Sequence, residues 1–164
     1  MVKPHVTLAP APQSQHLAAS YDDLVAAAAD WRRDDAVPES VADMLSTART
    51  LFIHSYFEYE FLVVATTWSL LALEVALRDV LELDRGPGSP GLGKMISRAQ
   101  GRGWFTPAEA EAVLAGKELR DRLIHATGVV RYTPGMAEPM LRASHAAVAD
   151  LYMRATATGK RRAP

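Results

Sequence analysis

The chain of 164 residues contains no cysteine, so disulfides, thiolate zinc sites and thiol nucleophiles are all excluded. That composition fits a reducing cytoplasm. Long hydrophobic runs are also lacking. The most apolar one, FLVVATTWSLLAL (61–73), spans 13 residues and is closed by Glu60 and Glu74, whereas a bilayer span needs roughly 20. Lys3 stands near the start, but no apolar stretch follows it as in a secretory signal. No segment alternates apolar and polar residues as a half-buried strand does. These absences predict a cytoplasmic protein without strands and without a membrane partner. At this length it fits one domain with a substantial core.

Charge is present in both signs but unevenly. Residues 20–84 carry 13 acidic and 4 basic residues, while residues 85–131 carry 4 acidic and 8 basic ones, among them Lys117, Arg120, Arg122 and Arg131. Residues 132–164 add 5 bases and 2 acids. A basic face of this kind suits a polyanion; an uneven solvated surface is the plainer account.

The organisation is helical by pattern. Residues 1–19, rich in Pro, Ala and Gln, read as a disordered arm, 20–155 as a single helical domain, and 156–164 as a basic tail. Ser20 can cap a helix over YDDLVAAAADWRR (21–33), with Asp22 and Asp23 at its positive end. Pro38 breaks the pattern and Ser40 can cap the next helix. Residues 41–83 then read as two helices hinged near HSYFEYE (54–60), the second apolar nearly all round and therefore central. DRGPGSPGLG (84–93) holds too much Gly and Pro for a regular element, and a short helix follows over Lys94–Gln100. FTPAEAEAVL (105–114) carries a start signal: Thr106 as cap, Pro107 in the first turn, Glu109 three beyond the cap. After a break at ATGVVRYTPG (126–135), Pro139 is expected to open a last helix with Met140, Leu141, Ala147, Val148, Leu151 and Tyr152 on one stripe. The expected architecture is an all-α bundle of five or six helices.

Several apparent motifs carry little. GSPGLGKM (88–95) matches G-x-x-x-x-G-K, but Met95 stands where a P-loop needs Ser or Thr for magnesium, and a helix precedes it. His5, His16, His54, His125 and His145 include no pair at the spacing of ligands on one helix, so no metal site is expected. No G-x-S-x-G elbow occurs. Tyr56, Phe57, Tyr59, Phe61 and Trp68 read as core more readily than as a base-stacking platform. Glu74 has Arg78 four residues on, in the favourable order for a helix-surface pair; a buried Glu74 reaching towards the arginines downstream is the sharper reading.

LRDRLIHATG (119–128) sets two arginines, an aspartate and a histidine into an apolar helical pattern. Asp121 and His125 are four apart and share a face, so the carboxylate can hold one imidazole nitrogen and leave the other to move a proton near neutral pH. Arg120, roughly 140° around the helix from His125, can still bring a guanidinium to a phosphate. Arg122 has Glu118 four residues before it, which suits a structural or substrate-steering role. Surface charges on an amphipathic helix account for the same spacing.

LRDRLIHA resembles the signature of the HEPN superfamily, small all-helical domains with Arg, a polar residue, a few residues and then His. Arg120, Asp121 and His125 match it with four residues between Arg and His. WSLLALEVALRDVL (68–81) resembles the upstream amphipathic helix of such domains, and the likeness covers residues 41–155. Asp121 departs from the commoner Asn. The resemblance implies a HEPN-like fold and metal-independent, cofactor-free RNA cleavage in a homodimer whose cleft unites two Arg and two His. Arg120, Asp121 and His125 would be catalytic, with Lys117, Arg122, Arg131 and Glu74 contacting RNA. Toxins and phage-defence effectors occur among such domains, so an antitoxin or defence-system protein would be a further partner. Inactive members that bind RNA or nucleotide, or only dimerise, give the alternative: a non-catalytic helical module.

Overall fold

In the computed structural model, residues 9–14, 18–84, 86–124 and 134–159 are described, with the backbone alone at 119, 120, 123, 124 and 134. Six helices follow one another, with no strand among the described residues: α1 (Tyr21–Ala29), α2 (Glu39–His54), α3 (Phe61–Val80), α4 (Leu92–Gly101), α5 (Pro107–Ile124) and α6 (Pro134–Ala157). The chain is therefore all-α, as the periodicity predicts.

α3 is the axis. Leu62, Ala65, Leu70, Ala72, Leu73, Ala76 and Leu77 on it are all but inaccessible. Its first half meets Leu24, Ala28 and Trp31 from the α1 region, Ala48 and Phe52 from α2, and Ala137 and Leu141 from α6. Its second half meets Met95, Ile96 and Ala99 of α4, Ala110 and Val113 of α5, and Val148, Leu151 and Tyr152 of α6. One helix serves two apolar clusters, which is why its sequence is apolar all round. Small side chains let α6 come close: Ser69 Oγ lies 3.3 Å from Ser144 Oγ, both buried. By length and composition α3 could cross a membrane, yet half of its most apolar stretch is buried inside the fold, as in any core helix.

The ends of the helices show where local signals succeed. Ser20 and Asp23 form a reciprocal capping box at α1, and Thr106 and Glu109 form another at α5. α3 ends in a Schellman turn: Leu83 N–H donates to Arg78 O at 2.9 Å and Glu82 N–H to Asp79 O at 3.1 Å. Glu82 takes the left-handed position, φ 54°. α4 ends the same way, with Trp104 N–H on Ala99 O, Gly103 N–H on Gln100 O, and Gly103 at φ 73°.

Elsewhere the structure departs from expectation. α1 stops at Ala29, not Arg33, because Trp31 turns inward to stack near Phe52, ring centroids 4.8 Å apart. α2 begins after Pro38, so Ser40 lies within the helix and caps nothing. α4 starts at Leu92, whose side chain is buried, two residues ahead of Lys94. α6 starts at Pro134 and contains Pro139, which therefore does not open it. Part of the segment read as a disordered arm is docked: Ala11 N–H donates to Tyr56 O at 2.9 Å, and Ser14, fully buried, donates its hydroxyl to the same oxygen.

Candidate functional site

α5 is tied to its neighbours at its start and crosses them closely at its middle. At its start, Glu109 accepts from Thr106 N–H at 2.7 Å and from both terminal nitrogens of Arg154 on α6, at 2.8 and 3.0 Å. Arg154 also donates to Trp104 O at 2.8 Å. These donors, the Arg154 fork first, hold the Glu109 carboxyl down at about 2. Farther along, Gly116 allows a close crossing: a β-carbon there would sit 3.1 Å from Met140 Cε and 3.3 Å from Leu70 Cδ2.

The next turn carries the charged motif. Lys117 Nζ lies 2.6 Å from Asp121 Oδ2, with about a third of each side chain exposed. Asp121 thus meets a cation one turn upstream. Arg122 is exposed. The backbone of Arg120 belongs to α5, but its side chain, together with His125 and Arg131, lies outside the described residues. The expected Asp121–His125 contact lies outside them too.

Glu74 pairs with Arg78 at 2.9 Å, the helix-surface pair that the spacing predicts. Arg78 in turn donates to Ser89 Oγ and reaches Pro90 O at 3.5 Å, tying the 86–90 segment to α3. Glu74, Val75, Arg78 and Ser89 line a shallow recess of about 410 Å³. The G-x-x-x-x-G-K resemblance dissolves in this region. Lys94 lies within α4 and is exposed, Met95 is core, and a helix precedes the segment.

A second polar group was not foreseen. His145 is 2 % exposed, its ring 5.0 Å from that of Trp31. Its Nδ1 is 2.9 Å from Leu141 O and its Nε2 3.2 Å from Leu45 O. Burial, aided by the positive charges of Arg49 and Arg33, outweighs those two carbonyls and pushes the imidazole down to about 4. The ring is neutral at pH 7 and has one N–H for two carbonyl oxygens. Arg49, 7 % exposed, stands beside it, and its Nη2 donates to Trp31 O at 2.8 Å. Trp31, Arg49 and His145 are spread over 115 positions and share no helix, so spacing offered no signal.

No known protein family, curated protein or solved structure is similar to the chain at a significant level.

Proposed function

We propose that the protein is a metal-independent, homodimeric endoribonuclease of the HEPN type, acting in the cytoplasm. The observation that carries this reading is the gathering of Lys117, Arg120, Asp121 and Arg122 into the last two turns of α5, with His125 immediately after its last residue, in an all-helical frame.

In the proposed reaction His125 takes the proton of a ribose 2′-OH. The freed oxygen attacks the adjacent phosphorus while Arg120 stabilises the added negative charge. His125 of a second copy protonates the departing 5′-oxygen, giving a 2′,3′-cyclic phosphate and a 5′-OH. Lys117, Arg122 and Arg131 steer the RNA backbone, and Glu74 lies with Arg78 at the recess beside α3. The second copy is supported by apolar side chains left exposed on α3 (Val64, Trp68, Leu71) and on α5 (Leu114). A role as a toxin or phage-defence effector, with an antitoxin or defence-system partner, belongs to the same proposal.

One observation favours the non-catalytic alternative. Asp121 is already engaged by Lys117, which weakens its capacity to orient an imidazole. Cleavage of mixed RNAs in EDTA separates the two readings. His125→Ala and Arg120→Ala should each lower the rate about 10²–10⁴-fold with unchanged melting temperatures. Full activity in either folded variant would end the nuclease reading.

A further inference from the structure

A cavity of about 650 Å³ opens between the 31–38 segment, α2 and α6, far larger than the recess beside Glu74. Its size is that of a site for a small organic molecule. Ala36, Val37, Pro38, Ala42, Leu45 and Ala149 give it a largely apolar wall. Arg49 and His145 line it as well, and Arg49 is the unusual member.

A guanidinium withdrawn from water is costly unless an anion and its full set of acceptors accompany it. Arg49 is more than nine-tenths buried and forms no pair with a carboxylate among the described residues. Its Nη2 meets one backbone carbonyl, its Cζ stands 5.9 Å from the Trp31 ring centroid, and its Nε is buried with no acceptor. The charges nearest to it in effect make matters worse. Arg33 opposes its protonated form, and burial opposes it more. His145, with both nitrogens turned to backbone carbonyls, is neutral and offers no counter-charge. A folded chain retains such a donor set at a cavity wall when something else supplies the acceptor.

The rim limits what that can be. Asp34, Asp35, Glu39 and Asp43 line the opening against Arg32 and Arg33, and Arg32 is taken up by Asp150 and Asp34. A polyanion such as RNA or a nucleoside triphosphate would meet this acidic edge before reaching Arg49. A single negative charge on an apolar body would not suffer in the same way. We propose that this cavity binds a small monocarboxylate with an apolar body, the carboxylate accepting from Arg49 and the body lying against Val37, Pro38, Ala42 and Leu45. The site is separate from the end of α5 and does not depend on RNA cleavage.

Three probes with one apolar body and different heads test this: octanoate, octanamide and octyl phosphate, each titrated by calorimetry into the full chain at pH 7. Saturable binding of octanoate, tighter than that of either other probe, is the expected result. Arg49→Met should weaken octanoate binding roughly tenfold or more, as expected for loss of a charge-assisted hydrogen bond. Since Arg49→Met can also disturb the Trp31 segment, Ala42→Trp serves as a second variant. It leaves Arg49 intact, fills the cavity from an exposed position on α2, and should abolish binding without lowering the melting temperature. The proposal is overturned if octanoate does not bind, if octanamide or octyl phosphate binds as well or better, or if folded Ala42→Trp binds octanoate unchanged.

Discussion

Arg154 near the end of α6 grips Glu109 in the first turn of α5 with both terminal nitrogens, although the two are 45 positions apart. The same carboxylate closes the capping box with Thr106, so one side chain starts a helix and fixes that helix to its neighbour.

Glu109→Gln should therefore reduce stability at pH 7 by about 1–2 kcal/mol, the pair being partly exposed and so worth less than its shifted acidity implies. The folded pKa of about 2 lies below the ordinary value of 4.5. The contribution is complete above pH 4.5 and fades as the pH falls towards 2. Urea titrations at pH 7 and pH 2.5 should show the variant and the parent chain converging at the lower pH; a constant gap would contradict the ion-pair account.

His145 works over a higher window. Its folded value of about 4 lies below the 6.5 of a free imidazole, so between those values the unfolded chain takes up more protons than the folded one. Stability should fall as the pH drops from 6.5 through 4, by up to about 3 kcal/mol. His145→Gln should be less stable at pH 7 and flatter across this window. A parent chain equally stable at pH 6.5 and pH 4.5 would mean that the ring is charged in the fold.

Glu82 and Gly103 occupy the same left-handed position of two Schellman turns. Only glycine adopts it without a β-carbon penalty. Glu82→Gly should raise stability by about 0.5–1 kcal/mol, and Gly103→Ala should lower it by about 1 kcal/mol. Thermal melts of the two variants check opposite signs at equivalent sites.

Gly116 tests the crossing beneath the charged turn. An alanine gains helix propensity but must nudge the tips of Met140 and Leu70, so Gly116→Ala should be neutral within about 1 kcal/mol. Gly116→Leu overfills the same gap and should cost more than about 2 kcal/mol.

Helix positions were legible wherever a local rule decided them. The Ser20 and Thr106 caps and the apolar circumference of α3 are short-range statements, and the structure bears them out. Boundaries failed where distant packing overrode the local signal. Trp31 leaves α1 because a pocket between Phe52 and His145 receives it, and Pro139 sits within α6 because the preceding turn begins at Pro134. The charged turn of α5 is legible as a run of residues, but the expected partner of Asp121 is His125, four residues on; the structure engages Asp121 with Lys117, four residues before, a pair the sequence reading does not single out. The Arg49 cavity was not, since it depends on a histidine 96 positions further along the chain.

The depths at which α3 and its neighbours hold the three tryptophans give the molecule an optical probe of its own. Trp31 and Trp104 are sealed, at 2 % and 1 % exposed, whereas Trp68 shows 37 % of its surface on the outer side of α3 beside Val64 and Leu71. Acrylamide should quench one emitter of the three readily and spare the others. If a second copy covers that side of α3, dilution should red-shift the emission and raise the quenchable fraction, so association can be read by fluorescence without a label.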